Sequence, residues 1–410
     1  MLTQSHTGTR VNTSTRLAFV RFFISLALAA TNTIWVIYLF GFSLSDSTIG
    51  FISAFFLAIS LIASILIVPV IEKVSLRKLV ISSLLVGSVG YATIFFYQNL
   101  YFFLIISFII TIAATIRVSA LDICFRDNTT NDTLNKQIGL LYTILNVAWL
   151  VGPLVAGFFL LEFGMQTVFL FVALFYAISL FLFSVIKTEE KVKKREILDK
   201  HILLNIKYYL KEKKLRESYV MSAGLQVWWS LVYIYVPLFI INNGLNAAVI
   251  SIFFTIAVIP LIISEYKIGQ LADTKGYKFF FERGFLLLAI TAIILFFLNN
   301  IYVELTILAF ASFFAACIEP IQDSFFFKYV KNQDEEKYYP LFSTAVDIGG
   351  IIGKVLPAIG LLFLPANYVY LIIGALMFIF FLYSRKIKEV LLPFRRIPSI
   401  LDYKKIPKRS

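Results

Sequence analysis

Apolar residues in this chain come in long unbroken runs separated by short polar loops, with neither the alternation of half-buried strands nor the one-sided stripe of a surface helix. About 20 helical residues cross the hydrocarbon of a bilayer. Twelve runs reach that length, near residues 17–40, 48–71, 79–97, 100–122, 137–162, 166–187, 216–241, 247–268, 279–298, 301–323, 340–363 and 367–385. Lipid offers the backbone no hydrogen bonds, so runs of this length are predicted to be helices rather than barrel strands. The predicted fold is an all-α membrane protein of twelve transmembrane helices.

Polar positions repeat as well. A shift of 201 residues lays VPVIEKVSLRK (68–78) on GQLADTKGYKF (269–279), Asp122 on Asp323, Asn146 on Asp347 and Gly152 on Gly353. One offset in separate parts of the chain indicates two pseudo-symmetric six-helix halves, a recurrent plan of transporters. The expected division is a first bundle at 1–187, a linker at 188–215 with a surface helix, a second bundle at 216–390 and a basic tail at 391–410.

Composition narrows the class. The chain is 60% apolar and 15% charged, against roughly 25% charge in soluble domains, which excludes a soluble reading. Its net charge of +13 has a topological origin. Lys and Arg gather before span 1, after spans 2, 4, 8 and 10, in the linker and in the tail, and they are missing from the opposite loops at 43–48, 242–248 and 299–304. The positive-inside rule then predicts a multi-pass cell-membrane protein with both termini cytoplasmic, and no nucleic-acid partner is implied. Cys124 and Cys317 fall at cytoplasmic ends of spans, and with two His they form no metal-ligand cluster. No cofactor or metal is expected. The first apolar run exceeds a signal-peptide core and is read as a retained helix.

The loop after span 8 carries Gly269, Leu271, Ala272, Asp273, Gly276 and Lys278. In this it resembles the loop signature of the major facilitator superfamily, a Gly, then Leu-Ala-Asp, then a Gly followed by basic residues, and the resemblance covers essentially the whole membrane-embedded chain. The first copy departs from it with Val68, Glu72 and Ser75 but keeps Arg77 and Lys78. The resemblance implies a conformational latch on the cytoplasmic side. A carboxylate at a helix C-terminal end needs a compensating cation, so Asp273 and Glu72 are expected to draw on Lys278 and Arg77, with Asp122 and Asp323 nearby. A set of charges that only ends helices and anchors the loop reads equally from the residues.

Span 5 holds Gly152, Pro153 and Gly157, a kink flanked by small residues. This is similar to the fifth-span signature of the superfamily's proton-coupled multidrug exporters, with Ala148 and Ala156 where that signature has glycines. Ionisable residues inside spans cost at least ~2.5 kcal/mol each, which singles out Arg117, Glu319, Asp347 and Lys354, with Glu265 nearer the interface. Arg117 shifts to within one residue of Glu319, and the resemblance implies that spans 1, 4, 7 and 10 line a central cavity, so the two are expected to face one space. Asn146 replaces Asp347 in the first half. Asn32, Trp35, Gln226, Trp229 and Tyr233 are further candidates for the cavity wall.

The expected function is secondary active transport by alternating access, as proton-coupled efflux of a small amphipathic or organic molecule. Its expected partners are that substrate, protons and the bilayer, and the chain is expected to be a monomer. A lipid translocator, a nutrient symporter of the same fold and a non-transporting membrane sensor or scaffold remain alternatives. No nucleophile or metal constellation supports an enzyme, and no catalytic residue is assigned.

Overall fold

A computed structural model describes residues 2–66, 68–129, 134–188, 202–330 and 335–388. The side chains of Glu72 and Asp273 lie outside the described residues, as do the tail and residues 189–201 of the linker. The described chain is all-helical, and twelve of its helices are long and apolar enough to cross a membrane. In chain order these are α1 (Thr13–Phe40), α2 (Asp46–Leu66), α3 (Leu76–Phe96), α4 (Leu100–Phe125), α5 (Thr143–Phe163), α6 (Met165–Val185), α7 (Lys213–Asn242), α8 (Ala247–Ala272), α9 (Tyr277–Phe296), α10 (Ile301–Tyr329), α11 (Tyr338–Gly360) and α12 (Tyr368–Arg385). Each matches one of the twelve apolar runs to within a few residues.

The 201-residue period is built into the helix starts. Asp46 and Ala247, Leu76 and Tyr277, Leu100 and Ile301, and Leu134 and Glu335 open equivalent helices. It extends to the caps: Asn99 accepts from the backbone N–H of Tyr101 and Phe102, and Asn300 accepts from Tyr302 and Val303. Such caps satisfy helix N–H groups that have no partner within the helix.

Packing repeats in the same way. In the first bundle α1 packs on α5 and α6, α3 on α4 and α6, and α2 on α4; in the second, α7 packs on α11 and α12, α9 on α10 and α12, and α8 on α10. Lipid removes the hydrophobic drive between helices, so close approach depends on small residues. A Cβ added at Gly152 would come within 2.6 Å of the Ala29 methyl, and one added at Gly353 within 2.8 Å of Ser230. These two contacts, α5 on α1 and α11 on α7, are the same contact one period apart.

The bundles meet along two seams related by the repeat, α2 against α11 and α5 against α8. At the end of the molecule bearing the short loops they also close across the middle. There Asn242 of α7 donates to Asp46 of α2 at 2.7 Å and Ser47 of α2 donates to the carbonyl of Ala358 on α11 at 2.7 Å, while within the second bundle the Tyr235 hydroxyl donates to the carbonyl of Lys354. At the end bearing the termini, no extended contact joins α4 or α5 to α10 or α11 among the described residues. Among the described residues the molecule is shut at the loop end and parted at the other.

Of the linker, the described helix Ile202–Lys211 lies against the second bundle. Tyr209 is buried in a satellite cluster with Leu215, Phe326, Val330, Leu341 and Phe342, and burial pushes its phenol above the ordinary value.

Candidate functional site at the broken span

Symmetry fails where the second copy carries prolines. α10 is interrupted at Ala316–Ile318, about halfway along, and resumes at Glu319. Pro320 has no N–H to give to the carbonyl of Ala316 four residues earlier. The turn tightens instead, with Cys317 N–H on Phe314 and Ile318 N–H on Ala315. Its counterpart one period earlier is Ser119, and α4 runs through unbroken from Leu100. α7 behaves similarly. Pro237 cannot donate to Tyr233, and the helix widens over Leu231–Tyr235, with Val236 N–H reaching the carbonyl of Leu231. The residue corresponding to Pro237 is Val36, inside a continuous helix.

The two irregular turns carry polar and aromatic candidates to mid-depth. Glu319 opens the second segment of α10, where a carboxylate suits the helix dipole. Trp229 lies beside that carboxylate, whose Oε2 is buried without a protein partner. Tyr233 lies at the centre of an aromatic group, with ring centroids 5.7 Å from Trp229, 5.2 Å from Phe254 on α8 and 5.9 Å from Trp149 on α5. Glu265 on α8 faces Asn146 on α5 and lies within electrostatic range of Glu319. Glu319, Trp229, Tyr233, Asn146 and Glu265 are therefore brought together, and Trp149 and Phe254 join them.

Arg117 is not part of this group. Its guanidinium donates to the Tyr176 hydroxyl at 3.1 Å and sits 4.7 Å from that ring, at 3% exposure inside the first bundle. Tyr91 stacks on Tyr176 at 5.7 Å. The expected pairing of Arg117 with Glu319 is replaced by this cation–aromatic contact, which keeps a charge inside a bundle without a carboxylate. Trp35 likewise turns into its own bundle, donating to Ser53 at 2.8 Å and packing on Phe56 and Phe103. Asn32 and Gln226 are half-buried.

Asp347 and Lys354 lie on the α2–α11 seam. Ser60 of α2 faces the Asp347 carboxylate, and Lys354 lies within its electrostatic range. Leu57 and Gly350 meet between these two levels.

The loop signature is divided between turn geometry and capping. Gly276 has φ +84°, a conformation that side chains disfavour, and it joins α8 directly to α9. Ser75 makes the equivalent turn with extended backbone and a side-chain cap on Lys78 N–H. Arg77 donates to the carbonyls of Ser184 and Ile186, and Lys278 donates to that of Arg385 while meeting Glu282 at 3.7 Å. One period apart, each cation caps the last helix of its own bundle. Asp122 pairs with Arg21 of α1 rather than with Arg77. The residue corresponding to Arg21 is Ser222, so half-buried Asp323 has no equivalent cation from α7. At Gly269 a Cβ would meet nothing within 4 Å.

The loop-end contacts of Asp46, Ser47 and Tyr235 were not anticipated from sequence. Their only signal was the presence of polar residues where the first and second loops begin. Among the described residues no three His, Cys, Asp or Glu side chains gather as a metal site.

Fold and site together define a multi-pass membrane protein of two six-helix bundles, with a polar and aromatic group at mid-depth between them. The family model of the Major Facilitator Superfamily matches residues 17–281 and 226–396, and the chain belongs to that superfamily. Solved structures show the same fold. Nucleoside transporter NupG superposes with a TM-score of 0.73 at 13% identity, covering 92% of this chain and 100% of that one. A POT family transporter in complex with 5-aminolevulinic acid gives 0.76 at 13%, covering 92% and 96%. The E. coli fucose:proton symporter FucP gives 0.63 at 14%, covering 93% and 100%. No curated protein sequence matches the chain significantly. The family and these neighbours are transporters, not enzymes.

Proposed function

We propose that the chain is a secondary transporter working by alternating access, and that it exports a small amphipathic or organic molecule in exchange for protons. The observation that carries this reading is the break of α10 at mid-depth, which places Glu319 between the bundles beside Trp229 and Tyr233. Interrupted helices at the bilayer midplane are where transporters hold cargo and coupling ions. Contact at one end and separation at the other support a rocking cycle about the two seams. The basic loops support a cytoplasmic position for the termini, and so for the parted end, in a protein read as a monomer of the cell membrane. Gly269 fits this cycle: it has open space now, and it lies on α8 where the bundles would converge when the cytoplasmic end closes.

In this reading Glu319 takes up and releases the proton, with Glu265 and Asp347 as further carboxylates on the two seams. Arg117 holds the first bundle together beneath Tyr176 and has no role in coupling. The test is the pH change on adding substrate to proteoliposomes. Wild type should move protons, and Glu319→Gln should not; unchanged proton movement in the variant removes Glu319 from the mechanism. Proton-coupled import is the second reading, supported by the departures Ala148 and Ala156 from the exporter pattern. The sign of the same pH change separates the two.

A further inference from the structure

We propose that the group between α5, α7, α8 and α10 is a binding site for a protonated amine carrying an aromatic or apolar body. This rests on the transporter reading and specifies its cargo. Three independent features of the site converge on that chemistry.

The first is its aromatic wall. Trp149, Trp229 and Phe254 surround Tyr233 at interplanar angles of 50°, 33° and 58°, so four rings gather at one level without stacking on one another. Among the described residues every cation lying over a ring does so elsewhere, on Phe125, Tyr176, Phe279, Tyr277, Phe325, Tyr329 or Phe381. The electron-rich faces of such rings attract a cation, most strongly once water is displaced.

The second is a set of carboxyl groups with no ion-pair partner among the described residues. Glu319 and Glu265 interact with each other, and Asp323 lies on the same segment of α10. Arg117 bonds to Tyr176 inside the first bundle, and Lys354 lies on the α2–α11 seam. An anionic cargo would meet repulsion here, and a cation would relieve it.

The third is the kind of polar atom left over. Glu319 Oε2 and Gln322 Oε1 are buried without a protein partner. Three residues apart, they lie on one face of the α10 segment. Both accept hydrogen bonds from a donor, which an ammonium N–H supplies and a quaternary ammonium does not. Trp149 and Asn146 come from the first bundle and the remaining residues from the second, so the site is assembled across the moving parts. A carboxylate that accepts either a proton or an ammonium gives an exchange in which one displaces the other.

The test is calorimetric titration of the full-length protein in nanodiscs with phenethylamine, 2-phenylethanol, phenylacetate and trimethylphenethylammonium. These probes share a ring and differ in the head group. Phenethylamine should bind saturably and at least about tenfold more tightly than the other three. Glu319→Gln, which preserves shape, should weaken it about tenfold or more, and Trp229→Phe, which keeps a ring, by less. The proposal is overturned if the alcohol, the carboxylate or the quaternary ion binds as tightly, or if the amine shows no binding up to ~10 mM. It is equally overturned if Glu319→Gln leaves amine affinity unchanged. Binding is read at equilibrium without a gradient. A protein that binds the amine but moves no protons defeats the coupling and leaves this site standing; one that couples protons to a neutral or anionic cargo does the reverse.

Discussion

Substituting Gly50 by Ala should open the loop end of the molecule. Gly50 lies near the start of α2, where α7 and α11 converge. A Cβ there would meet the Tyr235 hydroxyl at 2.8 Å and the Ala358 methyl at 2.9 Å, with the carbonyl of Lys354 at 3.5 Å. Tyr235 has little room to yield, because its hydroxyl is bonded to that same carbonyl and its ring is fully buried. Overpacking of one methyl costs about 1–3 kcal/mol. The gain in helix propensity of Ala over Gly, about 1 kcal/mol, acts on α2 in both conformations and cancels from their difference. The clash belongs to the closed loop end alone, so the equilibrium should move toward opening by about fivefold to 150-fold. Nitroxides at exposed Thr48 and Asn246, with Cys124 and Cys317 replaced, report the loop-end distance by double electron–electron resonance. Gly50→Ala should populate a longer distance. Gly269→Ala should leave the distribution as in wild type or sharpen its closed component, since its Cβ enters open space here. Identical distributions for Gly50→Ala and wild type would refute the assignment of this junction as the closing contact.

Further outcomes follow from other contacts. Tyr176→Phe removes the hydrogen bond to buried Arg117 and should destabilise the first bundle by about 1–3 kcal/mol; a melting temperature equal to wild type would contradict it. Asp46→Ala and Asn242→Ala should each favour loop-end opening, and the double variant should add little, because both delete one bond. Additive shifts would show that the two act separately. Gly349→Ala places a methyl on the Ala223 backbone, which has no side chain to move aside. It should sharply reduce folded yield in a fluorescence size-exclusion assay, whereas Gly244→Ala, with no neighbour within 4 Å but φ +75°, should lose far less.

Much of the fold can be read from the sequence because the bilayer imposes a length on every apolar run, and because duplication makes each loop a check on another. The 201-residue period even predicts the paired caps Asn99 and Asn300. Facing directions are harder to read. The period brings Arg117 level with Glu319, but depth along a helix does not say which way a side chain turns, and Tyr176 is 59 residues away in sequence. The breaks in α7 and α10 were visible in principle, since Pro237 and Pro320 stand where the first copy has Val36 and Ser119. A proline kink was sought in α5, where Pro153 sits inside a continuous helix. Trp149 was inconspicuous because its counterpart is Gly350 and its aromatic partners come from the other bundle.

Uptake of phenethylamine into proteoliposomes under an imposed pH gradient tests the central claim most directly. The account predicts that wild type takes up the amine into the acidic side faster than protein-free liposomes do, and that Glu319→Gln abolishes the excess rate while retaining folded yield. Equal initial rates for wild type and Glu319→Gln, or no rate above that of protein-free liposomes for either, would contradict it.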